Sequence, residues 1–561
     1  MIPKGFLRVN PLPWALALPP LGAVFFFFIM PYASALLTAL PASGGAADTA
    51  LPERGWIIAV AAFTVRQAAL STLLALALGL PGAWLLGTGR FRSRGLIRAV
   101  TSVPFAMPPI LVVLGFVLFF GNAGWANRLL ARPLAILGEV FGLNLGPLRI
   151  LYRPGAVILA HAFYNFPLVI RLAGDGIAQS RRAYDAPAAA LGASPFKAAL
   201  TVHFPLVLPS VLAAALLVFL YSFTSFAVVL VLGGGPRATT LAVEIYRYAR
   251  VSLDYQSAGF LALIETCIAA LAFGAYLFFA RKSGSINAAG TGDLGRRVLD
   301  ERKGSAAGKI FAAVYGLALI FLVMGPLLSA PAESLLVRAS RSAAPEISLR
   351  WWRSLGEEAL PCLGRSLLLA ALSATLATVL AALAASAARI DRTGASSPGV
   401  LGGLIRVAAT SPLASSGIVL GLGWLSLYGG NRARSLPALV ILHAVTAFPF
   451  AFNSIAEGLR SIPQSAAKAA SVLGANPPAQ VLTVELPLTL GRFRSAWAFS
   501  AAISLGELNA ILILGMERWE TLPLLIYRAA GAYRYGIACA GGTVLMLCCA
   551  GAFLLSELGR R

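Results

Sequence analysis

Apolar runs of roughly twenty residues or more, separated by short polar segments, fill most of the sequence. A helix of that length can cross the hydrocarbon of a bilayer while it satisfies its own backbone hydrogen bonds. The pattern therefore predicts an all-α polytopic membrane protein with about twelve transmembrane helices. These spans are predicted near 12–38, 57–87, 98–120, 154–174, 206–232, 257–280, 308–330, 362–388, 402–428, 436–456, 493–515 and 534–557.

Two polar segments between the apolar runs repeat each other, one near 184–205 and one near 466–487. Gly192 and Gly474 lie 282 positions apart, and the same offset relates the prolines that close the two segments. Glycine permits a tight turn and a following proline can open a new helix, so each segment is predicted to form a short helix–turn–helix. A duplicated polar segment in an apolar chain suggests a surface that another protein binds.

The similarity extends beyond these segments, because an offset of 308 relates Gly115 to Gly423 further upstream. The chain is therefore predicted to contain a first repeat at 1–280, a hydrophilic cytoplasmic linker at 281–307 and a second repeat at 308–561. With six spans in each half, both halves have the same orientation in the membrane. Such a parallel duplication is related by an axis along the membrane normal.

Composition excludes a soluble globular protein, since 58% of the residues are hydrophobic, 12% are charged and the mean hydropathy is +0.80. The net charge of +23 lies mostly in short loops between spans, which is typical of a topology signal rather than of a nucleic-acid surface. The distribution of Lys and Arg predicts that both termini and both repeated segments are cytoplasmic. The first apolar run exceeds a signal-peptide core, so we expect an uncleaved first span.

The sequence offers little material for catalysis, which predicts that the chain is not an enzyme. Two of its three histidines, His161 and His443, are repeat equivalents at the start of a span. Neither H-E-x-x-H nor G-x-S-x-G occurs, and the five cysteines lack metal-ligand spacing, so neither a metal site nor a cofactor is expected. Gly304–Lys309 resembles a Walker A loop but is one residue short and lacks the following Ser or Thr. Any ATP must therefore be hydrolysed by a partner.

The repeated segments resemble the coupling loops of ABC importer permeases, whose pattern is Glu-Ala-Ala, three residues, Gly, nine residues, an aliphatic residue, one residue and Leu-Pro. The matching residues are Ala188, Gly192, Val202 and Pro205 in the first loop and Ala469, Ala470, Gly474, Val484 and Pro487 in the second. The family glutamate is replaced by Ala186 in one loop and by Lys468 in the other. We expect Asp185 to substitute for its polar contact with the ATPase in the first loop.

Residues 223–247 and 504–528 look like the matching parts of fused thiamine permeases, and fused iron(III) permeases look similar. The resemblance implies the type I ABC importer permease fold, with two pseudo-symmetric six-helix halves in a bacterial inner membrane. It also implies a homodimer of ATP-binding subunits on the cytoplasmic side and a periplasmic or extracytoplasmic substrate-binding protein on the other. The expected substrate is thiamine, with iron(III) as the alternative. A secondary transporter is the competing class, and it would favour inverted repeats and buried acid or histidine relays.

The resemblance also suggests where substrate and receptor are met. Candidates for receptor docking, in the outer loops, are Arg237, Thr240, Tyr246, Arg247, Thr521, Tyr527 and Arg528. Candidates for the translocation path are Tyr221, Phe223, Ser225, Phe226 and Glu507. Interfacial anchoring explains the first group equally well. Packing of the phenylalanines and a structural hydrogen bond of Glu507 are the alternatives for the second group.

Overall fold

The computed structural model describes residues 11–40, 51–88, 107–142, 146–147, 149–233, 235, 238–289, 306–337, 345–391, 399–462, 464–516 and 519–558. Helices account for almost all of these residues, as the apolar runs predict. Among them the only strands form a short antiparallel ladder, β1 (Leu336–Val337) with β2 (Glu346–Ile347). Most of the predicted linker, at 290–305, lies outside the described residues, as does Arg237.

Eleven helices precede residue 290 in the part of the chain that the structure describes. They are α1 (Pro11–Val24), α2 (Met30–Leu37), α3 (Arg54–Thr88), α4 (Pro109–Phe120), α5 (Trp125–Phe141), α6 (Pro154–Ala190), α7 (Pro195–Ala198), α8 (Phe204–Phe223), α9 (Ala227–Leu232), α10 (Leu241–Arg247) and α11 (Tyr255–Ala289). Three π-helical turns interrupt the series, at Phe25–Ile29, Ala199–His203 and Tyr248–Ser252.

Eleven more helices follow residue 305 among the described residues. They are α12 (Ala306–Ser334), α13 (Arg350–Ile390), α14 (Val400–Thr410), α15 (Gly417–Ala433), α16 (Leu436–Ser461), α17 (Gln464–Val472), α18 (Pro477–Gln480), α19 (Leu486–Gly506), α20 (Asn509–Leu514), α21 (Leu522–Gly531) and α22 (Tyr535–Leu558). A 3-10 turn at Ser411–Ala414 and a π-helical turn at Val481–Glu485 complete the set.

Within the described residues, ten helices are long and apolar enough to cross a membrane. The pair Val400–Ala414 and Gly417–Gly429, bent by 103°, raises the number to eleven if it counts as one span. The predicted count of twelve is therefore not confirmed. The span predicted at 493–515 differs most, because α19 carries Arg492 and Arg494 and ends at Gly506.

The helices group into two compact units. One contains Met1–Thr38, Glu358–Leu525 and Leu545–Arg561, and the other contains Ala39–Glu357 and Ile526–Val544. The first helices of the chain thus pack with helices of the second sequence half, and α12 packs with helices of the first. The units follow contacts rather than sequence repeats, so the repeat boundaries at 280 and 308 stay a prediction.

In the first of these units, α1 and α2 are fastened to α15. The π-helical turn at Phe25–Ile29 interrupts the regular hydrogen-bond ladder, and carbonyls freed in this way need other donors. Trp424 Nε1 donates to the Phe27 carbonyl (3.1 Å), and the Tyr428 hydroxyl donates to the Phe26 carbonyl (2.6 Å). Gly423 lies where a Cβ atom would overlap the Pro31 carbonyl group, so only glycine allows this approach.

The other unit repeats this arrangement with α12 and α4. A Cβ atom at Gly115 would overlap the Pro326 carbonyl group, and Ser329 Oγ donates to the Gly115 carbonyl at 3.3 Å. The Tyr315 hydroxyl binds the Leu78 carbonyl of α3 at 2.6 Å. Helix α3 also packs closely along α6, because its glycines leave room for larger aliphatic side chains. The repeat-related glycines 115 and 423 therefore serve the same purpose.

Candidate functional site

Both predicted coupling loops contain the same helix-ending turn. In the first, the Ala193 amide donates to the Ala188 carbonyl (3.0 Å) and the Gly192 amide to the Ala189 carbonyl (3.0 Å). This pair of bonds defines a Schellman motif, which needs a left-handed residue after the helix. Gly192 supplies it with φ of +76°. The glycine spacing seen in the sequence thus has a direct conformational cause.

The second loop reproduces the turn at the repeat-equivalent positions. The Ala475 amide donates to the Ala470 carbonyl (3.0 Å), the Gly474 amide donates to the Ser471 carbonyl (3.0 Å), and Gly474 has φ of +85°. The next short helix is capped at equivalent positions in the two loops, but by different residues. Ser194 Oγ accepts from the Lys197 amide at 3.3 Å, whereas Asn476 Oδ1 accepts from the Ala479 amide at 2.9 Å.

The helices that lead into the loops also differ. Helix α6 continues unbroken to Ala190, so the first loop is an extension of a spanning helix. Helix α16 stops at Ser461, and Ile462 adopts φ of −69° and ψ of 124° before α17 begins. Pro463 follows in the sequence, and a residue before proline disfavours the helical conformation. The two helix–turn–helix segments are therefore alike in the turn and unlike in their approach.

The predicted coupling residues occupy matching environments in the two loops. Ala188 and Ala470 are both buried, and Val202 and Val484 are both half-buried. The exposed residues are Ala186, Gly192, Pro205, Ala469, Gly474 and Pro487. Lys468 lies within α17. The π-helical turns at Ala199–His203 and Val481–Glu485 follow at equivalent positions, each directly before a long helix.

Large apolar side chains project from the tips of both loops. Leu191 and Leu473, the residues before the two glycines, are 89% and 87% exposed, and Val472 is also 87% exposed. Phe196 on α7 is 79% exposed. Exposed apolar residues grouped in this way are typical of surfaces that contact another protein or a membrane. These residues are not among the predicted contact residues, although both copies have an apolar residue directly before the helix-ending glycine.

The Asp185 carboxylate is bonded inside the first loop. Arg181 Nε and Nη2 both lie 2.9 Å from its Oδ2, and His203 Nε2 lies 2.9 Å from its Oδ1. The Nδ1 atom of His203 is 2.9 Å from Ser180 Oγ. Both oxygens of the expected substitute for the family glutamate therefore already have partners within the permease itself.

A break in the helix after each coupling loop contains three of the residues predicted for the translocation path, Ser225, Phe226 and Glu507, while Tyr221 and Phe223 lie in the last turn of α8. Helix α8 ends at Phe223 and α9 starts at Ala227, while α19 ends at Gly506 and α20 starts at Asn509. Glu507 Oε1 accepts from the amides of Asn509 (2.8 Å) and Ala510 (3.3 Å). This carboxylate thus caps a helix N-terminus, the structural role that was the alternative for it.

The remaining path candidates differ in accessibility. Phe223 and Phe226 are buried, with Phe223 stacked on Phe219 (5.6 Å between centroids) and Phe226 against Tyr246 (5.1 Å). Tyr221 and Ser225 are half-buried. In this conformation the two phenylalanines are packed against other rings, whereas the tyrosine, the serine and Glu507 are half-buried and keep accessible surface.

The docking candidates fall on α10 and α21 or directly before them. Thr240 and Thr521 are buried, so they present no surface to a receptor. Each threonine directly precedes a helix. The first backbone amide of that helix donates a hydrogen bond to a hydroxyl group on another helix. The Leu241 amide donates to Thr64 Oγ1 (3.1 Å) and the Leu522 amide to Ser366 Oγ (2.9 Å). The side chains of Tyr246 and Tyr527 are half-buried, and those of Arg247 and Arg528 are exposed.

Arg247 is also tied to its surroundings. Its Nη2 atom lies 2.6 Å from Glu244 Oε2, and its guanidinium lies over the rings of Trp56 (5.8 Å) and Tyr248 (5.5 Å). In the described ranges no group of three or more His, Cys, Asp or Glu side chains is placed to hold a metal ion. All five cysteines are free thiols.

Comparison with known proteins gives one consistent result. The family of binding-protein-dependent transport system inner membrane components matches residues 79–330. The thiamine transport system permease protein of Brucella abortus (strain 2308) is 28% identical over 528 residues, which cover 93% of this chain and 91% of that protein. The corresponding protein of Escherichia coli (strain K12) is 27% identical over 499 residues, 87% of each chain.

A shorter relative aligns with part of the chain. The molybdenum transport system permease protein of Azotobacter vinelandii is 32% identical over 209 residues, which are 36% of this chain and 86% of that protein. The full-length relatives have the fused, two-repeat form, and all of these proteins are transport components rather than enzymes. This chain belongs to the family of binding-protein-dependent transport system inner membrane components, the multi-span permeases of ABC importers.

Proposed function

We propose that this permease carries thiamine across the inner membrane and that its two coupling loops receive the motion of cytoplasmic ATPase subunits. The observation that supports the coupling role is the turn geometry that the two loops share, with an exposed leucine before each left-handed glycine. The substrate follows from the relatives that align over nearly the full chain, which are thiamine permeases. Iron(III) is the alternative substrate from the sequence.

Two loops with the same turn suit two copies of one partner, so we propose a homodimer of ATP-binding subunits. Leu191 and Leu473 are the apolar anchors that would enter a groove on each copy. Both loops must then lie on the cytoplasmic side, together with the two termini. The polar path candidates with accessible surface, Tyr221, Ser225 and Glu507, would meet the cationic aromatic substrate in the translocation path.

Uptake into proteoliposomes tests the substrate. The full chain, assembled with its ATP-binding subunits and its substrate-binding protein, should accumulate radiolabelled thiamine in an ATP-dependent manner. Excess unlabelled thiamine should compete, whereas iron(III) should not. Accumulation of iron(III) without accumulation of thiamine would overturn the substrate, and uptake that needs an ion gradient but no ATP would overturn the mechanism.

Receptor docking is proposed at the exposed arginines of α10 and α21. The variant for the test is made at Arg528. Arg247 pairs with Glu244, so reversing the charge of Arg247 would place two carboxylates side by side. Their local repulsion would then obscure any effect on receptor docking. Arg237 lies outside the described residues.

We expect Arg528→Glu to lower receptor-stimulated ATP hydrolysis about three- to tenfold, mainly through slower association with an acidic receptor surface. Basal hydrolysis without receptor should not change. The matched control is Arg132→Glu on α5, another exposed arginine in a segment that the sequence places on the outer side. Stimulation that is equal in the two variants would show that Arg528 is an interfacial anchor rather than a docking residue.

A further inference from the structure

Four side chains close a network across the first coupling loop, and we call this network the Asp185 clasp. It consists of Ser180, Arg181 and Asp185 near the end of α6 and His203 at the end of the π-helical turn beyond the loop. Ser180 and His203 are buried, and the Asp185 side chain is only 25% exposed. The clasp therefore joins the two flanks of the turn at Gly192.

The hydrogen-bond directions show that the histidine is held at both ring nitrogens. An ionised carboxylate only accepts, so His203 Nε2 must donate to Asp185 Oδ1. The Nδ1 atom then accepts from the Ser180 hydroxyl when the ring is neutral and donates to it when the ring is protonated. Either form of the imidazole completes the network. Arg181, four residues before Asp185 on the same helix, occupies the other carboxylate oxygen.

The second loop cannot form this clasp. The offset of 282 places Ile462, Pro463, Ala467 and Glu485 at the four equivalent positions. Glu485 instead binds Arg389 of α13, with Oε1 2.6 Å from Nε. The first loop is thus fixed across its own turn, while the second is fixed to a neighbouring spanning helix.

We propose that Asp185 and His203 are positioning residues for the ATPase contact of the first coupling loop. The clasp sets the angle between the two flanks of the turn, and this angle determines where Leu191 and Phe196 project. Asp185 acts within the permease and does not reach across the interface as the family glutamate would. The inference rests on the proposed coupling role of the loop.

Hydrogen exchange of the purified full chain, without ATPase subunits, tests the clasp directly. In Asp185→Asn the side chain loses its negative charge, so weaker neutral hydrogen bonds replace the charge-assisted bonds with Arg181 and His203. Backbone amides at 186–203 should exchange about tenfold faster, while amides elsewhere are unchanged. His203→Gln should have the same effect. Asp185→Glu keeps the charge at nearly the same place and should restore most of the protection.

The affinity for the ATP-binding subunits of the same transporter tests the positioning role. Asp185→Asn should weaken binding about tenfold at an unchanged melting temperature, and Asp185→Glu should recover it. The control is Glu457→Gln, which removes the 3.7 Å pair of Glu457 with Arg492 beside the other loop. Glu457 is 67% exposed, and such pairs contribute little, so neither exchange nor affinity should change.

The outcomes separate the two proposals. Unchanged exchange in both Asp185→Asn and His203→Gln would overturn the clasp, whatever the ATPase does. Faster exchange with unchanged ATPase affinity would overturn the positioning role. Failure of the unaltered chain to bind ATP-binding subunits would overturn the proposed coupling function, and the positioning role with it. The exchange measurement on the permease alone would still report on the clasp.

Discussion

Replacing Gly192 or Gly474 with valine is expected to lower ATP-driven transport roughly 5- to 30-fold in each single variant. Both glycines have left-handed φ values, +76° and +85°, which cost an L-residue about 1–2 kcal/mol and a β-branched residue more. The Schellman bonds would be lost with them, and the exposed leucine before each glycine would change direction. Nothing lies within 4 Å of a Cβ atom at either position, so the effect comes from the backbone alone.

An asparagine variant distinguishes this conformational effect from the effect of replacing glycine with any other residue. It adopts the left-handed conformation more readily than other non-glycine residues, so Gly192→Asn should retain most transport while Gly192→Val does not. The amount of inserted chain, measured by fluorescence of a fused reporter, should be equal in all variants because the loops lie outside the spanning helices. Equal transport by the valine and asparagine variants would contradict a coupling role for the turn.

The coupling loops show what a sequence of this kind predicts well. A glycine that ends a helix and a proline that opens the next one have local, short-range causes, and the predicted turn at Gly192 and Gly474 has the expected geometry. The direction of a side chain depends on neighbours that are distant in sequence. Thr240 and Thr521 were docking candidates because they lie in predicted outer loops, yet both are buried.

The prediction of the membrane spans is limited in the same way, by neighbours that are distant in sequence. Hydrophobicity placed most of them correctly, because the cost of an unsatisfied backbone in lipid depends on composition and length. The break at Glu507 was harder to predict. The capping bonds to Asn509 and Ala510 are local, but the position at which α19 ends, Gly506, depends on packing. A continuous apolar stretch such as 493–515 therefore overstated the length of α19.

Pairing of the spanning helices was not predictable from apolar content at all. Lipid chains are as apolar as leucine, so association in a membrane depends on close packing and on a few hydrogen bonds. The partner of α1 and α2 is determined by Gly423 and by the donors Trp424 and Tyr428 on α15. The repeat offset of 308 identified Gly423 and Gly115 as equivalent, but the function they share became clear only from the structure.

Gly423→Leu should therefore displace the first spanning helices and lower the stability of the folded chain by about 3 kcal/mol, the upper end of the range for overpacking. The obstacle is the backbone carbonyl of Pro31, which cannot move aside as a side chain would. Gly364→Leu on α13 is the matched control, because nothing lies within 4 Å of a Cβ atom there. Thermal unfolding in detergent should show a lower melting temperature for Gly423→Leu only.

A cross-link distinguishes displacement of α2 from general destabilisation. Ser34 Oγ on α2 lies 3.1 Å from Ser426 Oγ on α15, so cysteines at these two positions should form a disulfide in an otherwise cysteine-free chain. Adding Gly423→Leu should abolish the disulfide, whereas adding Gly364→Leu should not. If the disulfide formed equally well with leucine at position 423, the close approach at Pro31 would not determine the partner of the first helices. Loss of the bond in that variant alone would show that one glycine fixes which helix receives them.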